Sequence, residues 1–353
     1  MRTILLVPGA LLENADWDAA ARALGELAPE DLLRRLRRAR RRERRFDSTW
    51  SDGAAHLQWL AEEFGVPGEP PPTAPYAWRA AGTGPIDAGD PAPERQTWFC
   101  DPVHFVLGPE RTVLAPIDQP TLEPHEAEAL LRAADEAALD VGARIESRHG
   151  RWFLHTPEPW LIKAPPLDAA MGASVESRLP RGSAAARWRR LLNDVQMRWH
   201  ASAVNQARAE RGQQVANGLW LHGGGTLAPL PNGAFELVDG GDVVLDGWHK
   251  AAPAPVRPPR KQRRLSVWPH LFEPYWRKDW RAWAQSWAAL QQRLGTGSPP
   301  ADPIAATAPV TPIDRAGLQL VACGRRTAVN FEFGHPLTWL RPRSLRDCLV
   351  ERS

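Results

Sequence analysis

The residues best suited to chemistry lie in one segment, Leu191 to Gly225, which reads LLNDVQMRWHASAVNQARAERGQQVANGLWLHGGG. Asn205 and Arg208 are three positions apart, so on a helix they share a face, whereas His200 lies roughly 140° away from Asn205. An amide and a guanidinium side by side suit an anionic ligand. A solvated helix face with ordinary polar contacts is an equally open interpretation of these residues.

The segment ends in three consecutive glycines that follow a predicted strand at Ala216 to Leu221. Glycines leave backbone N–H groups uncovered, and such a loop at the carboxyl end of a strand binds phosphate or another oxyanion. Tight turns use the same residues. Asn217 either orients this loop or only satisfies its backbone. The full set of ligand-binding candidates is His200, Asn205, Arg208, Asn217, Trp220, His222, Gly223, Gly224 and Gly225.

Asp101 and His104 are secondary candidates for a metal site or an acid–base pair. Residues three apart on a strand point to opposite faces, which is a poor arrangement for chelation unless Pro102 kinks the strand. A structural role is therefore the preferred interpretation. Catalytic residues stay unassigned, and neither a metal nor another cofactor is expected.

The composition limits the class of protein. The chain has 353 residues and a net charge of +3, so it is long enough for one large or two moderate domains and implies no nucleic-acid partner. The 3 cysteines are scattered and odd in number, which argues against a disulfide framework and favours a reducing cytoplasm. No stretch approaches the roughly 20 apolar residues of a membrane span. We therefore expect a cytoplasmic protein without membrane contact.

Hydrophobic periodicity predicts strands that alternate with helices, which is typical of an α/β fold with a central sheet flanked by helices. The predicted strands and hairpins are Thr3 to Val7, Tyr76 to Ala80, Thr97 to Leu107, Arg111 to Ala115, Ala143 to His155 turning at His149-Gly150, Ala216 to Leu221, and Leu318 to Phe333 turning at Gly324-Arg325. The predicted helices are Asp16 to Leu27, Asp31 to Arg45, Ser51 to Phe64, Pro124 to Leu139, Ser183 to Arg211 and Tyr275 to Leu294.

Two of these predicted helices have an unusual composition. The run from Arg34 to Arg45 carries nine arginines, which favours a solvated helix face over a surface for nucleic acid or an acidic partner, because no aromatic residues are interleaved. The other helix carries tryptophans every three to four residues, so they share one face and favour core packing over a partner surface. These tryptophans are Trp276, Trp280, Trp283 and Trp287. Cys323, on a predicted strand, is expected to be a buried small apolar residue.

The Leu191 to Gly225 segment resembles the archaeal-type cofactor-independent phosphoglycerate mutases, which carry a stretch close to HPxNxxRxxxGxxPANxxWxWGxG and then a Pro-rich turn. The matching positions are Val204-Asn205, Arg208, Gly212, Ala216-Asn217, Trp220, Gly223 and Gly225, with Pro229 and Pro231 at the turn. Over nearly the whole chain, the sequence also resembles a proteobacterial group, the RpfE-type regulatory family. The pieces that support this are Asp101-Pro102-Val103-His104, Arg151 to Leu154 and Phe331 to Pro342. The resemblance implies a degenerate form of the alkaline-phosphatase-like fold of those mutases.

The chain departs from the mutase pattern where the metals would bind. Those enzymes begin with a strand that delivers a metal-ligand Asp, whereas here the strand ends in Pro8-Gly9-Ala10. They also need a Ser or Thr nucleophile and a late cluster of Asp and His, but the last 60 residues here contain one histidine, His335. His222 stands where a second Trp is usual, and Ser202-Ala203 where His-Pro is usual. Phosphoryl transfer through a phosphoenzyme relies on two metals, so that chemistry lacks its ligands.

Three functions follow as hypotheses. The first is a non-catalytic regulatory or ligand-sensing protein with a phosphorylated small acid as its ligand. The second is an active mutase or other phosphoryl-transfer enzyme built on His200, Asn205, Arg208 and the glycines. The third is a module that binds a protein partner through the arginine or tryptophan helix. The expected organisation is a mutase-like region at 1–250, a Pro/Arg-rich connection at 251–273, and a Trp-rich helix with a β-hairpin at 274–353 packed on the same core.

Overall fold

The computed structural model describes residues 2–27, 29–48, 50, 52–82, 95–108, 111–115, 121–171, 174–231, 233–239, 241–252, 263–296, 317–334 and 342–352. The chain divides into two compact units. Unit 1 comprises Met1–Phe64, Asn232–Asp242 and Pro253–Ser353, and unit 2 comprises Gly65–Pro231 and Val243–Ala252. These boundaries cut across the division at residues 250 and 274 that the sequence suggested.

The elements alternate along the chain in both units. The strands are β1 (Arg2–Val7), β2 (Arg40–Arg45), β3 (Gln96–Val103), β4 (Phe105–Leu107), β5 (Thr112–Leu114), β6 (Arg144–Arg148), β7 (Arg151–Thr156), β8 (Ile162–Lys163), β9 (Arg181–Gly182), β10 (Gly218–Gly225), β11 (Leu237–Asp239), β12 (Arg263–Val267), β13 (Gln319–Cys323) and β14 (Thr327–Glu332). The helices are α1 (Trp17–Leu27), α2 (Glu30–Arg37), α3 (Ala55–Phe64), α4 (Ala74–Ala80), α5 (Pro124–Leu139), α6 (Leu167–Ala170), α7 (Val175–Arg178), α8 (Ala185–His200), α9 (Ala203–Glu210), α10 (Val243–Ala251), α11 (Phe272–Arg277), α12 (Trp280–Thr296) and α13 (Leu345–Leu349).

Unit 1 is built on a mixed sheet with the strand order β11-β12-β1-β13-β14-β2. The strands β11, β12, β1 and β13 are mutually parallel, while β14 is antiparallel to both β13 and β2. The carboxyl ends of β1, β13 and β2 therefore meet at one edge of the sheet. This edge is where open α/β sheets place their ligands.

The core of unit 1 lies between the sheet and the helices α1, α2, α12 and α13. Alternate residues of β1, Leu5 and Val7, face this layer because successive side chains of a strand point to opposite faces. Trp283 and Trp287 of α12 are fully buried in it, as core packing of the tryptophan face requires. The helix α3 contacts β14. The prediction of an α/β fold with a central sheet flanked by helices is confirmed.

The turn after β1 is buried, because other parts of unit 1 pack directly against its backbone. Gly9 has φ +73°, a left-handed conformation, and a Cβ there would lie only 2.8 Å from the carbonyl oxygen of Leu271. The indole N–H of Trp283 donates to the carbonyl of Gly9 at 2.8 Å. Ala10 is fully buried as well. Only glycine fits this position, because backbone from another part of the unit occupies the space of a side chain.

Unit 2 contains an antiparallel sheet with the strand order β10-β3-β7-β6. Trp78 of α4 packs edge-on against Phe153 on one face, with ring centroids 5.1 Å apart. Trp199 of α8 packs edge-on against Trp152 on the other face, at 5.9 Å. The sheet is therefore covered by helices on both faces, and the residues named as ligand candidates lie in this unit.

Four element predictions need correction. The arginine run is not one helix: it forms α2 and then the edge strand β2, because only its first half carries leucines at helical spacing. Tyr76 to Ala80 is helical, and the long helix at Ser183 to Arg211 breaks between α8 and α9 where Ser202 caps α9. The tryptophan helix also breaks, at Lys278, whose φ is 56°. Predicted stretches at 253–262, 297–316 and 335–341 lie outside the described residues.

The other predicted strands and helices are present, although the helix predicted from Ser51 begins at Ala55. The sequence did not predict β8, β9, β11, β12, α6, α7, α10 or α13, and β12, which pairs with β1, lies in the segment expected to be a connection at 251–273. The hairpin of β6 and β7 turns at His149 and Gly150, both with positive φ. Cys323 is fully buried, as expected. In the part of the chain that the structure describes, none of the helices is both long and apolar enough to cross a membrane.

Replacing Trp283 with Phe tests the closed turn. We expect Trp283→Phe to lower the free energy of unfolding by about 1–3 kcal/mol, because the buried carbonyl of Gly9 loses its donor. Urea denaturation of the purified protein measures this change. Trp280→Phe, at a partly exposed position of the same helix, is the matched control and should cost less. Equal losses in the two variants would contradict the role assigned to the Trp283 hydrogen bond.

Candidate functional site

Asn205 is bonded to backbone rather than turned toward a ligand. Its side-chain N–H groups donate to the carbonyls of Trp199 and Ala216 at 2.9 and 2.7 Å, and its oxygen accepts from the N–H of Ala216 at 3.2 Å. The side chain thus joins the end of α8 to the segment before β10. A buried amide satisfied in this way holds the backbone in place.

Arg208 points into the protein and pairs with Glu126 of α5. Its Nε donates to the carbonyl of Gln214 at 2.8 Å, and Arg211 binds the second oxygen of Glu126 at 2.7 Å. Glu126 also accepts from the N–H of Glu123, which completes a capping box at the start of α5. The two candidates that the sequence placed on one helix face are therefore engaged with different partners.

Asn217 acts as a substitute strand partner. Its side-chain oxygen accepts from the N–H of Phe105 at 2.6 Å, and its side-chain N–H donates to the carbonyl of Phe105 at 2.9 Å. Its own N–H donates to the carbonyl of Val103. The side chain thereby continues the hydrogen-bond ladder past the end of β3. All three bonds are made to Val103 and Phe105 rather than to the glycines, so neither interpretation left open from the sequence describes the role of Asn217.

The glycines are part of β10 rather than a loop beyond it. Gly225 is still paired with Thr97 of β3 after a bulge that begins at His222. A Cβ at Gly223 would overlap Thr73, one at Gly224 would overlap the indole of Trp98, and one at Gly225 would lie 2.7 Å from Pro72. The expectation of an open loop is wrong, because the absent side chains leave room for these neighbours.

The other candidates lie apart from one another. His200 is exposed at the end of α8. Trp220 is buried, and its indole N–H donates to the carbonyl of Pro165 at 3.3 Å. His104 is hydrogen-bonded through Nδ1 to the carbonyl of Val215 at 2.8 Å, so it does not pair with Asp101.

Asp101 pairs instead with His222, a combination that sequence spacing did not suggest. Strands β10 and β3 place both side chains on one face, and Nε2 of His222 lies 2.8 Å from Asp101. Arg151 donates to both carboxylate oxygens at 3.2 and 3.0 Å and lies over the ring of Phe99. Burial opposes ionisation, but the charge of Arg151 and the bond to His222 lower the pKa of Asp101 to about 2. The group is an ion-paired cluster on the sheet face.

A second cluster of charged residues lies at the carboxyl edge of the unit 1 sheet, and the sequence did not predict it. A cleft of about 350 Å³ lies there, lined by Glu13, Asn14, Arg45, Asp52, Arg325, Arg326, Thr327, Glu351 and Arg352. The turn between β13 and β14 supplies the two central arginines, and the ends of β1 and β2 supply the surrounding chain. The cleft therefore occupies the ligand position of an α/β sheet.

Asp52 organises the cleft by binding both central arginines. Arg326 donates to its two oxygens at 3.1 and 3.0 Å, and Arg325 lies 3.4 Å from it and 3.3 Å from Glu13. Burial lowers the pKa of Arg325, but the carboxylates of Asp52 and Glu13 raise it above its usual value. Glu351 accepts the N–H groups of Arg326 and Thr327, and its pKa is raised chiefly by burial.

The cleft does not have the donor set of a two-metal phosphoryl-transfer site. Within the described residues, no group of three or more His, Cys, Asp or Glu is arranged to hold a metal ion. The end of β1, where the mutase pattern has a carboxylate, is the buried Pro8-Gly9-Ala10 turn against Leu271 and Phe272. Asp52 and Glu13 bind guanidinium groups instead, and Glu351 accepts backbone N–H groups. These residues do not fit the metals that the resemblance implies.

One signal in the sequence could have indicated the cleft. Gly324-Arg325-Arg326 forms the turn of a predicted hairpin, and two adjacent arginines in a turn at the end of a buried strand have no core role. The carboxylate partners were not predictable in the same way. Asp52 and Glu351 lie 273 and 25 positions from the arginines that they contact, so only the tertiary fold brings them together.

The comparisons with known proteins find structural likeness alone. No family model matches the chain, and no curated protein matches it. A protein of Pyrococcus horikoshii, PH0037, has a TM-score of 0.48 at 11% identity, covering 94% of this chain and 87% of that one. The cofactor-independent phosphoglycerate mutase of Thermoplasma acidophilum has a TM-score of 0.37 at 13% identity, covering 95% and 90%. Both scores are below 0.5, so the chemistry has to be argued from this chain's own residues.

The pH dependence of stability tests the Asp101 cluster. Because the folded-state pKa of Asp101 is depressed, its stabilisation is present above the unfolded pKa near 3.8 and is lost as the pH falls toward 2. We expect Asp101→Asn to cost at least ~2 kcal/mol at pH 7 and progressively less below pH 4. Denaturant titrations between pH 7 and pH 2 measure the difference. The exposed control Asp140→Asn should show no such convergence, and a pH-independent cost for Asp101→Asn would contradict the assignment.

A glycine substitution tests the packing role of β10. We expect Gly224→Ala to destabilise unit 2 by roughly 1–3 kcal/mol, because the new methyl group overlaps the indole of Trp98. Gly25→Ala is the control: nothing lies within 4 Å of that position in α1, so alanine should be neutral or stabilising there. Thermal unfolding measures both variants. A neutral Gly224→Ala would mean that the strand leaves free space at the glycines.

Proposed function

We propose that this chain is a mutase-like, non-catalytic protein that binds a small anionic acid, of the phosphorylated carboxylic type, in the unit 1 cleft and serves as a ligand sensor. The observation that supports it most is the pair Arg325 and Arg326 at the carboxyl edge of the sheet. Guanidinium groups there take the position where ligands of α/β proteins bind, and they recognise carboxylate and phosphate oxygens through charge-assisted hydrogen bonds.

The charge pattern of the cleft favours an anion. Four guanidiniums line it, those of Arg45, Arg325, Arg326 and Arg352, against three carboxylates. One of these carboxylates, Glu351, has a raised pKa because it is buried. Protonation of that group leaves the cleft more positive, so an acidic ligand is attracted more strongly as the pH falls toward this pKa.

The absence of catalysis is proposed from the residues at the end of β1. A metal-dependent mutase needs a carboxylate at that point, whereas this chain has a buried apolar turn at Gly9. The residues of the enzyme hypothesis are also engaged elsewhere: Asn205 and Arg208 hold backbone and Glu126, and Gly224 packs on Trp98. A regulatory role of the RpfE type would fit a ligand-binding unit of this kind.

Calorimetry with the purified full chain tests the proposal. The probes are 3-phosphoglycerate, 2-phosphoglycerate and phosphoenolpyruvate. We expect at least one phosphoacid to bind, and Arg326→Met to weaken its affinity tenfold or more, since a bond to a charged group contributes about 1.5–3 kcal/mol. Arg22→Met, which removes an exposed arginine of α1, is the matched control.

Two results would contradict the proposal. If none of the phosphoacids binds, or if Arg326→Met binds them as the unmodified chain does, the cleft is not their site. If the pure protein with Mn²⁺ interconverts 3- and 2-phosphoglycerate at enzyme-like rates, the non-catalytic part of the proposal fails. Calorimetry tests ligand binding and the mutase assay tests catalysis. Each part of the proposal can therefore fail without the other.

A further inference from the structure

Arg41 has a buried guanidinium in which two of the three nitrogen atoms have no hydrogen-bond partner among the described residues. Its side chain is 5% exposed, and its Nη1 pairs with Glu43 at 2.9 Å. Within the described residues, its Nε and Nη2 are buried without a hydrogen-bond partner. Such groups cost free energy when left unpaired, so a buried pair of donors calls for a partner.

The position of Arg41 follows from the sheet register. Arg41 is opposite Phe331 on β14, and Phe331 faces the helical core layer, so Arg41 points to the same face at the edge of the sheet. Arg42 is opposite Asn330 and points to the other face, where its side chain is 60% exposed. Neighbouring arginines of β2 therefore have opposite environments.

The charges around Arg41 are mostly positive. Burial lowers the pKa of Arg41, and the charges of Arg352 and Arg343 lower it further, while Glu43 opposes them. Burial also raises the pKa of the nearby Cys348 thiol to about 11, although Arg343, Arg41 and Arg37 act against it. The neighbouring carboxylates are Glu43 and Asp347, whose pKa is lowered chiefly by its bond to Ser344. Among the side chains that the structure describes here, four guanidiniums stand against two carboxylates, an excess of two positive charges.

The geometry points to a binding site for a small tetrahedral oxyanion, inorganic phosphate or sulfate, on the Nε and Nη2 edge of Arg41, with Arg343 and Arg352 as the further cations. Nε and Nη2 form one edge of the planar guanidinium, so their two N–H bonds run side by side and match two oxygens of such an anion. A divalent anion balances the two excess charges, whereas a single carboxylate balances one. This site shares Arg352 with the cleft, but Arg41 is not among the residues that line the cleft, and Arg326 is not part of the new site.

Thermal unfolding in phosphate and in sulfate, each compared with chloride at equal ionic strength, tests the site. Both oxyanions should raise the melting temperature of the full chain in a saturable way, because they bind the folded state. Arg41→Met should abolish the rise, and Arg42→Met, the exposed neighbour on the same strand, should retain it. Arg326→Met should also retain it, which separates this site from the proposed phosphoacid site.

A second variant keeps the test decisive if Arg41→Met does not fold. Arg352 is exposed, so Arg352→Met leaves the core intact and should weaken the oxyanion response at least several-fold. The inference is overturned if phosphate and sulfate stabilise no more than chloride, if Arg41→Met keeps the full response, or if Arg352→Met leaves it unchanged.

Discussion

The buried turn at Gly9 is the constraint on which the chemistry of unit 1 depends. The left-handed Gly9 leaves room for the Leu271 carbonyl oxygen, which would lie 2.8 Å from a Cβ at this position, and the Trp283 indole donates to the carbonyl of Gly9. A side chain at Gly9 would have neither space nor solvent, and the preceding Pro8 is buried as well. The end of the central strand is therefore committed to packing, and polar groups gather at the neighbouring turn of β13 and β14, where Arg325 and Arg326 are partly exposed.

Unit 2 uses polar side chains in place of missing backbone partners. Asn217 pairs with both polar groups of Phe105, and Asn205 does the same for Ala216 while also holding Trp199. Each amide has one acceptor and two donors, which is the inventory needed to imitate a strand neighbour. The same residues that a sequence suggests for ligand recognition therefore serve the turn before β10, because amides suit both tasks equally well.

The sequence predicted those features that depend on neighbouring residues. The turn at His149-Gly150 and the helix α5 were predicted correctly, because a tight turn or a Pro-and-Glu start is a local signal. The run from Arg34 to Arg45 was misjudged, since arginine has good helix propensity and only pairing with β14 makes its second half a strand. Tertiary context decides an edge strand of this kind.

The candidate site was less predictable than the fold because its members are distant in sequence. The pair of Asp101 and His222 depends on the register of β3 and β10, which residue spacing along the chain does not reveal. Spacing along the chain reveals which residues share a helix face or strand face, but not which strand lies alongside. The residue types in the sequence indicate arginine–carboxylate pairs and anionic ligands. Only the fold determines which arginines and which carboxylates come into contact.

The two proposed anion sites differ in how much water their arginine N–H groups must still lose when a ligand binds. In the cleft, Nε and Nη2 of Arg326 are bound to Asp52, so a ligand uses the remaining Nη1 or displaces a carboxylate. At Arg41, folding has already removed water from the unpaired Nε and Nη2. An anion there restores hydrogen bonds without a competing carboxylate on that edge, since Glu43 binds the Nη1 side. Binding at Arg41 is therefore linked to the stability of the edge of the sheet, whereas binding in the cleft is an exchange of partners at the surface.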